Sequence, residues 1–391
     1  MAEENTELPL EGYRVVDLTR NLAGPYFTMM LGDMGAEVIK VEPPKGDETR
    51  KLFNFEGREP DSEDVFGMFN RNKRSAVVDL KTERGKEILT ELIRRGDVFA
   101  SNFAPGAIDR LGFDYETVRS INPKIVYTTV SGFGSGDRRR AMDGVVQAAS
   151  GIMDLNGRED DAPMPTGLHI GDLSASLFAA YSTMGALLRA ARTGKGGRID
   201  IAMTDSLLAL QSGPAAQYFA TGKYPRGSVS NSNYRVPSSV FPTKDGKYIF
   251  LIGNNEIWPR LCKALSLEEY EHHPHYIDNQ TRVAYRDEVI ETLTNRTLEM
   301  TRDELCKVLD ENDVPNSPVL TLGESLDGEY AKRKEMVIEL SGEMRGGRQP
   351  LKVMGVPYKM SGPQPGVRIG PPKLGQDTHY VVNELLGFPE E

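Results

Sequence analysis

RVVDLTRNLAGPYFTMMLGDMGAEVIKVE, residues 14–42, is the segment from which the architecture of this chain can be read. Its two ends, RVVDL and EVIKVE, are short and rich in β-branched residues, which is typical of strands. Between them the loop NLAGP leads into a predicted helix over about 26–34. A strand, a helix and a second strand in this order predict a parallel βαβ unit.

The same alternation continues along the chain. Further strands are predicted at SAVVDL, DVFAS, KIVYTTVSGFG and RIDIAM, with helices over 83–95 and 115–121 between them. This pattern predicts a mainly parallel α/β sheet. From about residue 222 the chain becomes rich in Ser and Asn, and a hairpin with its turn at 244–246 and several helices follow. We therefore predict a large domain over 1–220, a small domain over 221–325, and a segment over 326–391 that returns to the large domain.

The composition is that of a soluble globular protein. The 57 acidic residues exceed the 47 Lys and Arg, and the net charge of −10 disfavours nucleic acid as a partner. No apolar run is long enough to predict a membrane span, and the polar start MAEENTELPLEGYR does not resemble a signal peptide. Two cysteines, Cys262 and Cys306, are too few for a disulfide framework, so we expect a cytoplasmic protein.

A second segment, PTGLHIGDLSASLFAAYSTMGALLRAARTGKG at residues 165–196, places a carboxylate at the start of a long predicted helix. Asp172 is either an N-cap, which accepts the free backbone N–H groups of the first turn, or an ionised nucleophile that the helix amino end helps to keep charged. Apolar residues recur at three- and four-residue steps and predict one buried helix face. They are Leu173, Leu177, Phe178, Tyr181, Met184 and Leu188.

Blocks of unusual composition follow one another along the chain, among them NKRS at 72–75, NFAPGAIDRLG at 102–112 and GDLSAS at 171–176. In this order they resemble the family III coenzyme A (CoA) transferases, which include formyl-, succinyl- and carnitine-type enzymes, from Leu10 to about Gly387. The resemblance implies a large Rossmann-like domain, a smaller α+β domain and an interlocked dimer. It also implies an enzyme that uses CoA thioesters as substrates and holds no tightly bound cofactor.

The resemblance favours the nucleophile interpretation of Asp172. In the family, this aspartate attacks an acyl-CoA and passes through a mixed anhydride and an aspartyl-CoA thioester. Because Leu22 stands where some members carry Gln, backbone N–H groups of Leu22 and Ala23 are expected to steady the acyl oxygen. His169 either contacts the substrate or packs against its loop.

The resemblance also assigns the binding of CoA and a lid over the site. Contacts with CoA are expected from Asn72, Lys73, Asn102, Phe103, Arg110 and Arg140. A loop that contains Asn231 and Asn233 stands in place of a glycine-rich lid.

Other interpretations stay open at this point. His272, His273 and His275 lie together, but no Cys or carboxylate spacing completes a metal site with them, so no metal is expected. A 2-methylacyl-CoA racemase of the same superfamily would need a histidine near 140–143, where this chain has none, unless His169 substitutes for it. The chain could also be one subunit of a hetero-oligomer, or a thioesterase that admits water to the anhydride. We expect a homodimer that moves CoA from succinyl-CoA to a carboxylic acid.

Overall fold

A computed structural model of the chain describes residues 7–52, 55–59, 61–157, 161–224, 226 and 235–390. It divides into two compact units. The first comprises Met1–Ser150, Thr166–Gln211 and Glu329–Glu391, and the second comprises Gly151–Pro165 and Ser212–Gly328. The second unit therefore begins nine residues before the predicted boundary at 221, and it also takes in a short earlier segment that the composition did not separate.

The strands and helices follow the predicted alternation. The strands in chain order are β1 (Arg14–Asp17), β2 (Glu37–Glu42), β3 (Lys73–Val77), β4 (Val98–Ser101), β5 (Val126–Ser131), β6 (Gly197–Ala202), β7 (Ser238–Pro242), β8 (Tyr248–Ile252), β9 (Asn316–Pro318), β10 (Val337–Leu340) and β11 (Leu351–Met354). The helices in chain order are α1 (Ala23–Asp33), α2 (Asp64–Phe69), α3 (Glu83–Arg95), α4 (Ala107–Arg110), α5 (Tyr115–Ile121), α6 (Asp143–Ser150), α7 (Ile152–Leu155), α8 (Ile170–Thr193), α9 (Met203–Leu210), α10 (Ser212–Thr221), α11 (Trp258–Ala264), α12 (Asn279–Ala284), α13 (Arg286–Thr297), α14 (Arg302–Glu311), α15 (Leu322–Asp327) and α16 (Glu329–Arg333). No helix among the described residues is both long and apolar enough to span a bilayer.

The first unit is built on a six-stranded parallel sheet in the order β3-β2-β1-β4-β5-β6. This is the strand order of Rossmann folds, so the predicted Rossmann-like α/β domain is confirmed. The order reverses between β1 and β4, and their carboxyl ends form the edge where such sheets bind ligands.

The C-terminal segment covers one edge of this sheet. The Asp377 carboxylate accepts a hydrogen bond from the Ser75 N–H at 3.0 Å, and the Thr378 hydroxyl accepts one from the Val77 N–H at 3.0 Å. The outer backbone groups of β3 are therefore satisfied, which protects an edge strand from pairing with other chains.

Helix α8 packs by a different face from the predicted one. Its buried residues are mostly small, with Ala175, Ala179 and Thr183 fully enclosed, and the Thr183 hydroxyl meets that of Thr128 on β5 at 2.8 Å. Leu177 and Tyr181, by contrast, are 57% and 71% exposed. The periodicity was correct but the buried face was wrong, because close packing of a helix on a sheet and on α1 requires small side chains. The large apolar residues are left uncovered in a single chain.

The second unit has its own core and a three-stranded antiparallel sheet in the order β7-β8-β9. The predicted hairpin is confirmed, with its turn between Pro242 and Tyr248. Cys262 is buried in this core and Cys306 packs against its margin, so both act as small apolar residues.

Candidate active site

The carboxyl ends of β1 and β4 hold the loop Thr19–Pro25. The Asn102 side chain, directly after β4, accepts a hydrogen bond from the Arg20 N–H and donates one to the Arg20 carbonyl, both at 2.7 Å. A Cβ on Gly24 would lie 2.3 Å from the Thr19 Cβ and 3.1 Å from the Asn102 Cγ. The compact path of this loop therefore requires glycine at position 24.

The amino end of α8 is organised by an acidic residue from α6. Asp143 is 9% exposed, and one of its carboxylate oxygens accepts hydrogen bonds from the Gly171 N–H at 2.7 Å and the Asp172 N–H at 3.2 Å. Gln147 donates to the other oxygen of Asp143 and to the Leu168 carbonyl, and it accepts from the Thr166 N–H at 2.9 Å. These contacts hold the segment that leads into Asp172.

Asp172 itself does not cap the helix, which corrects one of the two interpretations of the sequence. The N-cap is His169, whose side chain makes no capping hydrogen bond, and Asp172 lies within the first turn. Asp143 takes the first-turn N–H groups instead, across a distance of 29 positions in the sequence. The Asp172 carboxylate is therefore available for another task.

The surroundings of Asp172 change the pKa of its carboxyl group. Burial, and next the neighbouring charge of Asp143, raise the pKa of Asp172 to about 6, while the His169 side chain and the Ala23 N–H oppose the rise. A carboxyl group with a pKa of about 6 is ionised at neutral pH, but its charge is only weakly stabilised. Groups with shifted pKa values cluster at functional sites.

The amino end of α1 meets α8 at the same place. The Ser176 hydroxyl donates to the Ala23 carbonyl and to the Asp172 carbonyl, each at 2.7 Å, and so joins the loop to the helix. Pro25 has no N–H, which leaves the Leu22, Ala23 and Gly24 N–H groups as the donors of this helix start. Donors at a helix start are suited to a developing oxyanion.

Several predicted contacts lie at this edge of the sheet. Asn102 and Phe103 follow β4 directly, and the Arg20 guanidinium lies 4.6 Å from the centre of the Phe103 ring. Arg110 and Arg140 are exposed, and neither forms an ion pair with the described residues. Their positive charge is free to meet phosphate groups.

For Asn72 and Lys73 the structure gives an internal role in place of the predicted contact with CoA. Asn72 precedes β3 and Lys73 begins it, at the amino edge of the sheet, and the Lys73 side chain extends from there to the Pro25 carbonyl. The Asn72 amide bonds to the Asp33 carboxylate at 2.8 Å and to the Gly366 carbonyl at 2.7 Å. The Lys73 ammonium is enclosed and fully hydrogen-bonded within the protein. No phosphate can reach either group without displacing these partners.

The remaining predicted site residues differ in what can be said of them. His169 is exposed and adjoins Asp172. Asn231 and Asn233 lie outside the described residues, so their lid role stays a prediction. Asp143 and Ser176 were missed, because no motif in the sequence connects them with Asp172.

A histidine cluster in the second unit gains a carboxylate that the spacing did not predict. His273, His275 and Glu288 bring their donor atoms within 4.8 Å of one another. Glu288 accepts from Tyr276, and its carboxylate lies 3.0 Å from the His275 Nδ1, while His273 accepts from the His275 N–H. Hydrogen bonds thus connect the three residues.

A surface cavity of about 630 Å³ opens in the first unit away from Asp172. It is lined by the end of β3, the start of α3 and the C-terminal segment, including Arg84 and His379. Neither Asp172 nor the loop Thr19–Pro25 lines it, so the site described here rests on the convergence of side chains and helix ends.

Comparisons with known proteins agree on one family. The profile of CoA-transferase family III matches residues 10–378. Succinyl-CoA:glutarate CoA-transferase of Mus musculus is 35% identical over 400 residues, which cover 98% of this chain and 87% of that protein. Acetyl-CoA:oxalate CoA-transferase of Acetobacter aceti is 35% identical over 382 residues, which cover 96% of each. The crystal structure of a CAIB/BAIF family protein from Brucella suis has a TM-score of 0.86 at 32% identity, covering 97% of this chain and 100% of that one.

The raised pKa of Asp172 predicts a gain in stability when its charge is removed. A carboxyl group whose folded pKa exceeds its unfolded value destabilises the fold wherever it is ionised, above about pH 6. Asp172→Asn should therefore raise the free energy of unfolding at pH 8, by at most about 3 kcal/mol for a pKa raised from 3.8 to about 6. The difference should shrink as the pH falls below 6 and disappear below about pH 3, where the wild-type group is protonated in both states.

Thermal denaturation at pH 8 and at low pH measures this difference. Asp114→Asn is the control, because hydrogen bonds from the first turn of α5 lower the pKa of Asp114 and its charge therefore stabilises the fold. A melting temperature of Asp172→Asn at or below that of the wild type at pH 8 would contradict the prediction.

Proposed function

The chain belongs to CoA-transferase family III, and we propose that it moves CoA from an acyl-CoA donor to a carboxylic acid through covalent intermediates on Asp172. Activity between CoA thioesters and carboxylic acids is common to the named relatives. The covalent mechanism rests on the position of the half-buried Asp172 carboxylate, which faces the amino end of α1. Because Asp143 accepts the hydrogen bonds of the Gly171 and Asp172 N–H groups, the Asp172 carboxylate is not needed to cap α8.

The exchange proceeds in four steps that each conserve one activated acyl bond. An Asp172 oxygen attacks the donor thioester carbonyl, the C–S bond breaks, and CoA leaves as a thiolate from a mixed anhydride. The thiolate then attacks the Asp172 carbonyl carbon, which releases the donor acid and forms an aspartyl-CoA thioester. The acceptor carboxylate attacks this thioester, the C–S bond breaks, and CoA leaves as a thiolate from a second anhydride. The thiolate then attacks the acceptor's carbonyl carbon in that anhydride, which gives the new acyl-CoA and frees the Asp172 carboxylate.

A carboxylate suits this sequence because both of its derivatives are close in energy to the substrate thioesters. A serine ester would be too stable to pass CoA onward, so the nucleophile must itself become an activated acyl group. Each tetrahedral intermediate places negative charge on a former carbonyl oxygen. The N–H groups of Leu22 and Ala23, at the start of α1, are the proposed donors to that charge.

Asp143 has two effects in this mechanism. Its hydrogen bonds to the Gly171 and Asp172 N–H groups fix the backbone of the nucleophile, and its charge raises the pKa of Asp172. A less stabilised carboxylate is the better nucleophile, provided that it stays ionised at the working pH.

We propose that CoA lies along the carboxyl edge of the sheet, with its phosphates near Arg110 and Arg140 and with Phe103 and Asn102 along its path. The exposure of both arginines supports this, since each offers several N–H donors to phosphate oxygens. The named relatives use glutarate or oxalate, which are dicarboxylic acids. We therefore propose succinyl-CoA as the donor and a short dicarboxylic acid as the acceptor.

We further propose a homodimer, in which a second chain covers the large apolar residues of α8. Leu177, Tyr181 and Leu188 are 57%, 71% and 63% exposed and lie on one side of the helix that carries Asp172. A contiguous apolar surface of this kind marks an interface. The interlocked form of the dimer is the arrangement that the family resemblance implies.

Trapping of the acyl-enzyme tests the covalent mechanism. With succinyl-CoA and hydroxylamine, the wild type should yield a hydroxamate on Asp172, identified by peptide mass, and Asp172→Ala should yield none while still binding CoA. An adduct elsewhere, or full exchange activity in Asp172→Ala, would overturn the proposal. Entry of solvent deuterium at the α-carbon of a branched acyl-CoA would instead indicate a racemase, and release of free CoA without acceptor a thioesterase.

Removal of a proposed phosphate contact should weaken the binding of CoA. Arg110→Ala should raise the Kd for CoA roughly tenfold or more, since a hydrogen bond to a charged group contributes about 1.5–3 kcal/mol. Arg119→Ala, at an exposed arginine on α5 paired only with Glu116 at 3.5 Å, is the matched control. An equal Kd for both variants in calorimetry would remove Arg110 from the site.

A charge on the open face of α8 should disrupt the dimer. Tyr181→Glu would bury an unpaired carboxylate at the interface and should shift the protein toward its 43.3 kDa monomer in sedimentation velocity. Asn295→Glu adds the same charge at an exposed position of α13, which is not part of the apolar side of α8, and should leave the dimer intact. A monomeric wild type would contradict the proposal.

A further inference from the structure

Lys73 is a lysine with no access to solvent and no place in the mechanism described so far. Four acceptors surround its three N–H donors: the Asp17 carboxylate at 3.0 Å, the Pro25 carbonyl at 2.9 Å, the Thr28 hydroxyl at 2.8 Å and the Asn70 side-chain oxygen at 2.9 Å. Burial lowers the pKa of Lys73 to about 8, even though Asp17 opposes the change. Apolar side chains of similar volume are often as stabilising as a buried ion pair, or more so. Stability of the fold alone therefore does not explain why Lys73 and Asp17 are charged.

A second lysine makes a matching contact at the other end of the same loop. The Lys40 ammonium donates to the Thr19 carbonyl at 2.8 Å and to the Asp47 carboxylate at 2.9 Å. Asp17 accepts from both the N–H and the hydroxyl of Thr19, at 2.8 and 2.5 Å. The loop Thr19–Pro25 is thus held at both ends by ammonium groups that flank one buried carboxylate.

The loop held in this way carries the donor that faces the nucleophile. Ala23 lies between the two held ends, its N–H acts on the Asp172 carboxylate, and its carbonyl accepts from Ser176 at 2.7 Å. The Lys73 ammonium bonds to the Pro25 carbonyl, two residues beyond Ala23. A displacement of Pro25 would therefore turn the first-turn N–H groups away from Asp172.

We propose that Lys73, paired with Asp17, is a positioning residue for catalysis: it holds the Pro25 carbonyl so that the Ala23 N–H stays aimed at Asp172. The inference rests on the proposed function of Asp172 and extends it to residues that never touch the substrate. Its consequence is that the ion pair is needed for the rate of acyl transfer more than for the binding of CoA.

A double variant separates this role from simple stabilisation of the fold. Lys73→Met alone leaves Asp17 buried and uncompensated and should destabilise the protein strongly. Asp17→Asn/Lys73→Met removes both charges at nearly constant volume and should recover much of the lost melting temperature. Under the proposal the double variant still forms the Asp172 adduct slowly, with kcat lowered about a hundredfold, as expected for a misplaced reacting group, and with the KM for the thioester little changed.

The control is a second buried ion pair at the opposite end of α1. Arg71 and Asp33 are 3% and 1% exposed and bond at 2.8 Å, far along the helix from Ala23. Asp33→Asn/Arg71→Met should affect melting temperature in a similar way and leave kcat within about threefold of the wild type. Recovery of kcat together with stability in the Asp17/Lys73 variant, or an equal loss of kcat in the control, would overturn the proposal.

A milder pair of variants keeps the test decisive if the double variant does not fold. The Thr28 hydroxyl donates to Asp17 at 2.8 Å and accepts from Lys73. Thr28→Val should lower kcat severalfold at unchanged KM, and Thr28→Ser, which keeps the hydroxyl, should restore it; equal kcat values would contradict the proposal. Absence of an Asp172 adduct in the wild type would refute the proposed function itself, whereas trapping at wild-type rates in these variants refutes only the positioning role.

Discussion

The buried carboxylate of Asp17 and the two ammonium groups beside it, from Lys40 and Lys73, are the interaction on which the active edge of this protein depends. Burial alone would raise the pKa of Asp17, but the two cations, together with the hydrogen bonds from Thr19, hold that pKa below its usual value. The charges are buried within the parallel sheet, and several of their hydrogen bonds go to the loop Thr19–Pro25. Polar groups in a dry interior are directional, so they fix backbone positions that apolar packing would leave adjustable.

The amino ends of two helices, α1 and α8, meet at the loop Thr19–Pro25. Helix α1 begins within the loop, and α8 presents Asp172 to it, with Ser176 joining the two. The free donors of a helix start attract negative charge, but here Asp143 satisfies those of α8 and leaves Asp172 exposed to reaction. One acidic side chain therefore accepts the backbone hydrogen bonds, and the carboxylate of the second stays free of that role. Burial, and next the repulsion from Asp143, raise the pKa of Asp172, at a cost in stability wherever the group is ionised.

Two errors in the sequence interpretation share one cause. The spacing of Leu177 and Tyr181 indicated an apolar helix face, but periodicity does not say whether the chain itself or a partner covers that face. The family resemblance implied a contact with CoA at Asn72 and Lys73, but a motif does not say which partners inside the protein already hold these side chains. Both questions concern long-range packing, which a local pattern does not contain.

The sequence by itself determined the alternation of strands and helices and the family, and it predicted Asp172 as a nucleophile beside the loop around Ala23, because propensity, periodicity and motif are local properties of the chain. Only the tertiary structure decided the partners of those residues. It brought Asp143 to a helix start 29 positions later, enclosed Lys73 beneath the loop, and set Glu288 beside His275. These contacts depend on strand order and helix packing, and hydrogen bonds and charges act over a few ångströms of space regardless of separation along the chain.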